Sequence, residues 1–195
     1  MIIQQPRVLL PESALSQDIL VRLERYARVC YKSEDKMSDE GDPNFIKRIV
    51  KSGHESVIEH EKVSVMFIVD RGVSHEIVRH RIAAYSQEST RYCRYNQNKF
   101  GSEISVIEPY FFKTDAKAYT YWKEACQSAE DNYMALLEAG RSAQEARSVL
   151  PTCLKTEIVV TYNMREWRHF FRLRCDFAAH PQMRQVAIPL LLVFQ

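Results

Sequence analysis

The chain has 195 residues, 46% hydrophobic and 27% charged, with 27 Lys+Arg against 25 Asp+Glu and a formal net charge of +2. That length and balance suit one globular domain over residues 1–195 with its own core. They exclude a global polycation, so a nucleic-acid binder would have to rely on a local basic patch. Cys30, Cys93, Cys126, Cys153 and Cys175 are widely spaced, with no C-x-x-C pair, which points to free thiols in a reducing cytoplasm rather than a disulfide frame. The start, Met1-Ile2-Ile3-Gln4-Gln5-Pro6, lacks the n- and h-regions of a signal peptide. No apolar run approaches the roughly 18 residues of a membrane span, so a cytoplasmic protein without a membrane partner is expected.

In chain order, Arg7-Val8-Leu9-Leu10 reads as a first strand ended by Pro11. From Ser16, apolar residues at Ile19, Leu20, Leu23, Tyr26 and Ala27 recur at helix spacing, with Ser16 or Asp18 as cap. Residues 31–41 read as a polar loop. Asp42-Pro43 opens a second helix with Phe45, Ile46, Ile49 and Val50 on its apolar face, and Gly53 stops it. Lys62 to Val69 is β-branched and partly alternating, a strand broken at Asp70-Arg71-Gly72. Val73 to Arg81 predicts a short helix on which Glu76, Arg79 and His80 share a face, with Glu76 and Arg79 able to pair.

Ile104 to Ile107 is a weak strand ended by Pro109, and a long amphipathic helix follows from Asp115 to Ala139, stopped by Gly140. Its aromatic residues Trp122 and Tyr133 are assigned to the core. Ser142 to Leu150 is a short helix carrying Arg147 and ended by Pro151, and Glu157 to Tyr162 is a buried strand. The last helical region starts near Asn163, breaks at Ala178-Ala179-His180-Pro181 and resumes from Gln182 to Val193. No repeat or linker interrupts this order. The expected fold is α/β (α+β), a single domain with a central mixed sheet flanked by helices.

Chemistry concentrates in two stretches. Arg79-His80-Arg81 is followed after seven residues by Ser89, within Tyr85-Ser86-Gln87-Glu88-Ser89-Thr90-Arg91-Tyr92. Arginine is poor core material, its planar fork matches phosphate oxygens, and hydroxyls with backbone N–H groups can complete an anion cradle. The stretch therefore reads either as a site for two phosphorylated ligands held close together or as a solvated basic loop. His54-Glu55-Ser56-Val57-Ile58-Glu59-His60 brings two histidines near two acids, but the spacing is not H-E-x-x-H and no third ligand is apparent, so no metal is assigned. Cys153, after Pro151-Thr152, is the nearest thing to a nucleophilic thiol and is read instead as a small buried residue.

The string from Arg79 to Tyr92 resembles the signature of the flavin-dependent thymidylate synthases, and further similarities lie far from it, between about Arg28 and Ala187. The resemblance implies FAD as cofactor, NADPH and 5,10-methylenetetrahydrofolate as cosubstrates, dUMP as substrate, and a homotetramer with shared active sites. It implies reductive methylation of uracil at C5 without an enzyme nucleophile, tetrahydrofolate being released. Residue by residue, it places Arg79, His80 and Arg81 at flavin, with Arg79 also reaching dUMP. Ser56 stands in a Gly-His-Glu-Ser stretch at a flavin-contact position. Gln87, Glu88, Ser89, Thr90 and Arg91 fall in the loop closing on dUMP, with Gln87 also near FAD. Arg147 is a further dUMP contact, Asn163 and Arg165 are flavin contacts, and Arg174 is the arginine that activates uracil. His180-Pro181-Gln182-Met183-Arg184 is similar to a closing structural motif.

Three residues depart from the family pattern. Glu76 replaces a glutamine that touches dUMP, Gln87 replaces a glutamate, and His169 replaces an asparagine at a flavin-contact position. They leave open C5 methylation of another pyrimidine nucleotide such as UMP. A different class of function, a single-strand nucleic-acid module stacking bases on Tyr92, Tyr95 and Tyr110, is disfavoured by the near-neutral total charge.

Overall fold

A computed structural model describes residues 1–16, 18–96 and 101–195. Its centre is a ladder of nine antiparallel pairs between β3 (Lys62–Asp70) and β6 (Lys155–Asn163), running from Lys62 opposite Asn163 to Asp70 opposite Lys155. β2 (Arg7–Leu9) adds to the outer side of β3, and β4 (Ala84–Gln87) to the outer side of β6, giving the order β2-β3-β6-β4. All pairings in this sheet are antiparallel. Parallel pairing is confined to a two-stranded sheet of β1 (Ile2–Gln4) and β5 (Ser105–Ile107), tied to the segment before β6 by a bridge between Val106 and Leu154.

The alternation in β3 puts Val63, Val65 and Phe67 into the core while Lys62 and Ser64 face outward; Ser64 Oγ meets Thr161 Oγ1 across the ladder at 2.7 Å. Against the inner face pack α6 (Met164–Arg174) and α7 (Pro181–Val193). Trp167, Phe170 and Phe171 fill the gap, and the Trp167 indole N–H donates to the Val63 carbonyl at 3.1 Å, so a large apolar body is buried with its one polar atom satisfied. α1 (Asp18–Tyr31) and α2 (Pro43–Lys51) form a second layer over Leu23, Ala27, Ile46 and Ile49. α4 (Ala116–Glu138) and the short α5 (Ala143–Ala146) close a third cluster around Tyr133, Cys126 and Leu154.

Local signals set the boundaries. Asp42 accepts from the N–H groups of Asn44 and Phe45, and Asp115 from those of Lys117 and Ala118, as N-caps do. α2 and α4 both end in Schellman turns: Gly53 and Gly140 take positive φ, and the N–H after each reaches back to Ile49 and Leu136.

The structure corrects the sequence expectations in three places. The helix expected over 73–81 is α3 (Arg71–Ile77), started by Asp70 accepting from Val73 N–H and followed by a turn. Ala84 to Gln87 is an edge strand rather than part of a polar loop. Glu76 does not pair with Arg79; its carboxylate takes Arg174 instead. Tyr133 is fully buried, as its assignment to the core requires. Among the described residues, no helix is long and apolar enough to cross a membrane.

Candidate active site

Two helices start from opposite ends of the central ladder. Asp70, the last residue of β3, caps α3; Asn163, the last of β6, caps α6 by accepting from Glu166 N–H at 2.8 Å. Glu166, Phe170 and Arg174 recur at intervals of four on α6 and so share one face. His80, just beyond α3, lies across that face. The residue is 4% exposed, its ring contacts the Phe170 ring edge-on at 5.2 Å, and both nitrogens are engaged. Nδ1 meets Glu166 Oε1 at 2.8 Å, and Nε2 accepts from Arg174 Nε at 3.1 Å. Because guanidinium only donates, Nε2 must carry a lone pair and Nδ1 must carry the proton that Glu166 accepts. Burial pushes the imidazole below its ordinary value, and the Arg174 charge adds to this against the pull of Glu166.

Arg174 is held at three points. Besides His80, its Nη1 donates to Glu76 Oε2 at 2.9 Å and its Nη2 to the Glu76 carbonyl at 2.8 Å. Guanidinium has five N–H groups, so one on each terminal nitrogen is left, in the plane of the group. The His80 carbonyl is in turn fixed by the Tyr85 hydroxyl, which also meets Tyr162 OH at 2.9 Å.

Three clefts hold expected site residues. The largest, about 660 Å³, is lined by Asn163, Arg165 and His169 of the expected flavin set, with Ile82, Glu166 and Arg172. Ser56 is exposed on the 3-10 turn whose Glu55 and Glu59 line the same cleft. Those two acids engage Arg165 and Arg168; Arg172, which donates to His169 Nδ1 at 3.0 Å, has no acid partner among the described residues. A second cleft, about 270 Å³, brings Thr90 and Arg147 together with Arg71, His75 and Ser148; Arg147 Nη1 donates to Thr90 Oγ1 at 3.3 Å. A buried nitrogen of Arg71 has no hydrogen-bond partner among the described residues, a costly state in an apolar setting and one that an anion in the cleft would relieve. A third cleft, about 420 Å³, has Glu76 on its wall, with Phe111, Trp122 and Cys153.

Arg79 and Arg81 are exposed, with no side-chain hydrogen bond or ion pair among the described residues. Gln87 at the end of β4 donates to Ser74 Oγ and Thr156 Oγ1. Glu88 accepts from Tyr95 OH at 2.9 Å and Lys155 Nζ at 3.1 Å. Ser89 accepts from Arg91 N–H, and the Arg91 guanidinium lies over the Tyr92 ring. The structure thus gathers Asn163, Arg165 and His169 in one cleft and Thr90 and Arg147 in another, with Glu76, His80 and Arg174 joined directly. It does not bring Arg79 and Arg81 into either.

Sequence reasoning missed Glu166, Arg71, His75 and Arg172. The four-residue recurrence of Glu166, Phe170 and Arg174 was the available signal for the first; a helix start directly after a capping aspartate was the signal for Arg71. The histidines considered for a metal, His54 and His60, are apart in role: His54 Nδ1 bonds the Tyr31 hydroxyl and His60 packs on Tyr26. Donor atoms of His80, Glu166 and His169 do fall within 4.8 Å of one another, but Arg174 already occupies His80 Nε2 and sets a positive charge where a cation would sit.

Comparison with known proteins matches this arrangement to one family. Residues 15–195 match the family model described as thymidylate synthase complementing protein. A flavin-dependent thymidylate synthase of Geobacter sulfurreducens is 37% identical over 172 residues, which span 85% of this chain and 72% of that protein. One from Pyrococcus abyssi is 35% identical over 159 residues, spanning 80% of this chain and 64% of the relative. The fold also superposes, with a TM-score of 0.80, on the crystal structure of a UMP/dUMP methylase, PolB, from Streptomyces cacaoi bound with 5-Br dUMP. That match covers 100% of this chain and 92% of the other at 21% identity. The chain belongs to the thymidylate synthase complementing protein family.

Proposed function

We propose that this protein is a flavin-dependent thymidylate synthase, a methyltransferase converting dUMP to dTMP with methylenetetrahydrofolate as carbon donor, NADPH as reductant and FAD as cofactor, and working as a homotetramer. The observation that carries the proposal is the grip on Arg174: three contacts fix it, and two coplanar N–H groups remain to meet a planar, anionic partner. A pyrimidine that has lost its N3 proton is such a partner, and a fixed positive charge beside that edge lowers its pKa and raises the nucleophilicity of C5.

The chain's own residues fit FAD. The largest cleft is of cofactor size. Arg172 lines it without an acid partner among the described residues, and Arg79 and Arg81, exposed and outside its lining, make no side-chain hydrogen bond or ion pair among the described residues. In this reading Ser56, Arg79, Arg81, Asn163, Arg165 and His169 hold the dinucleotide. When bound, FAD supplies the electrons that the methylation consumes. His80 belongs to the same triplet, yet both its ring nitrogens are spent inside the protein, so its task is to orient Arg174.

For dUMP, Arg147 and Thr90 with the unpaired nitrogen of Arg71 form the anion-facing wall, joined by Arg79, Gln87, Glu88, Ser89 and Arg91. Glu76 is engaged by Arg174, so in this reading its charge is balanced and does not repel the nucleotide phosphate. Ile82, Tyr92 and Phe177 are 69%, 77% and 88% exposed. Exposed apolar surface of this kind, with Ile82 on the wall of the largest cleft, supports completion of the sites by a second copy.

The test is direct. Purified protein is expected to be yellow with flavin absorption bands and to release tritium from C5-labelled dUMP only when NADPH, FAD and methylenetetrahydrofolate are present. No release at saturating FAD overturns dUMP as substrate; release from C5-labelled UMP under the same conditions would then identify the ribonucleotide.

A further inference from the structure

Two thiols have no part in the reaction above. Cys126 lies on α4, and Cys153 lies in the turn between Arg147 and β6. Their sulfurs are 3.3 Å apart. Cys126 is 1% exposed; Cys153 is half-buried, and both reach the wall of the third cleft, which opens to solvent. The hydrogen bond from Cys126 holds the Cys153 thiol below its ordinary value, while that same bond and burial push Cys126 up. One sulfur is thus the readier thiolate with a path to solvent, and its partner waits behind it, the division of labour between an attacking and a resolving thiol. The other three cysteines have no sulfur neighbour among the described residues.

We propose that Cys126 and Cys153 form a reversible thiol–disulfide site whose co-reactant is a low-molecular-weight disulfide, and that closing the bridge weakens the nucleotide wall at Arg147. Cys153, as thiolate, attacks one sulfur of the small disulfide. That S–S bond breaks, a mixed disulfide forms, and one small thiolate leaves and takes up a proton. Cys126 then loses its proton and attacks the Cys153 sulfur, expelling the second small thiol. The protein gives up two electrons and two protons in all, and the small disulfide becomes two thiols.

A disulfide bond is about 2.05 Å long, so the sulfurs must close by roughly an ångström, and the turn carrying Cys153 moves with them. That turn is the floor of the second cleft. The Thr152 carbonyl accepts from the N–H groups of Arg71 and Gly72 at 3.1 and 3.3 Å, and the Cys153 carbonyl accepts from Ile107 N–H at 2.9 Å. The bridge therefore pulls on Arg71 and on the segment just after Arg147 together. The effect on nucleotide rests on the function proposed above; formation of the bridge does not.

The experiment uses protein with Cys30, Cys93 and Cys175 changed to serine, equilibrated with oxidised and reduced glutathione at graded ratios. Peptide mass spectrometry is expected to find a Cys126–Cys153 cross-link lighter by two hydrogens, and Cys126→Ser is expected to stall as a glutathione adduct on Cys153. dUMP affinity, measured by calorimetry, should fall by about fivefold or more in the bridged form, the lower range of ordinary site–site coupling, and return on reduction. Unreacted thiols, or separate glutathione adducts on both cysteines, overturn the site. A bridge that leaves dUMP affinity unchanged overturns its coupling to Arg147. A reduced parent that binds no dUMP counts against the function proposed above and leaves the mass-spectrometric result standing.

Discussion

Replacing Arg174 with lysine separates charge from geometry. Arginine has five N–H groups; three are committed to His80 Nε2 at 3.1 Å, Glu76 Oε2 at 2.9 Å and the Glu76 carbonyl at 2.8 Å. Two remain for a substrate. Lysine keeps the positive charge but has three N–H groups without a fixed plane, and the same three acceptors can claim all of them. The variant therefore loses the two remaining N–H groups. Two hydrogen bonds to an ionised partner, at about 1.5–2 kcal/mol each, correspond to about 3–4 kcal/mol. If they form in the transition state, kcat/KM should fall roughly 10²- to 10³-fold. Tritium release from C5-labelled dUMP measures this, with flavin absorption as a control, since the large cleft is lined by other residues. Turnover within about threefold of the parent, a difference under 1 kcal/mol, would refute the geometric role.

His80 should be required as a neutral acceptor. His80→Gln, which can present an oxygen near the Nε2 position, should retain more activity than His80→Asn, which can serve only Glu166; equal losses would contradict the orienting role. Because burial holds the folded imidazole below its ordinary value, the unfolded chain binds the proton first, so stability is full above about pH 6.5 and is lost as pH falls through the window below it. Turnover should drop only as pH falls through the depressed folded value at the foot of that window, and the drop should be absent in His80→Gln when pH–rate profiles are compared. Glu76→Gln removes a negative charge next to Arg174; dUMP should bind more tightly, by up to about tenfold after allowing for the partial exposure of both groups, and weaker binding in titration calorimetry would contradict this placement. Glu24, fully buried, accepts from Arg28, Ser38 Oγ and Asp42 N–H. Glu24→Ala strands a buried guanidinium and should cost about 3–5 kcal/mol in urea unfolding.

Much of the architecture was legible because its determinants are local. Caps at Asp42 and Asp115, glycine stops at 53 and 140, and the β-branched runs of β3 and β6 each announce an element within a few residues. β4 was not legible: Ala84 to Gln87 is a short edge strand whose pairing is decided by β6, more than 70 positions away. The candidate site divides in the same way. Arg147 with Thr90, and Asn163 with Arg165 and His169, meet in space as their positions in the motifs imply. The partner of Glu76 could not be read, because the arginine nearest it in sequence is Arg79 while Arg174, 98 residues on, arrives through the fold. Acids that engage Arg165 and Arg168 come from a separate turn more than 100 positions away, and nothing local to either partner announces the pairing.

The central ladder is also a measuring rod. Nine paired residues at about 3.4 Å each separate its two ends by roughly 27 Å, and α3 and α6 run back from those ends until their C-termini face one another. Carbonyls at the end of a helix carry partial negative charge, so the meeting point of the two helices attracts a cation, and Arg174 is the cation placed there. Adding two residues to either strand would shift one cap by nearly 7 Å and pull the helices past each other, whereas the connection between α4 and α5 could lengthen without disturbing that spacing. Length changes among natural or designed variants should therefore gather in the outer connections and spare these two strands.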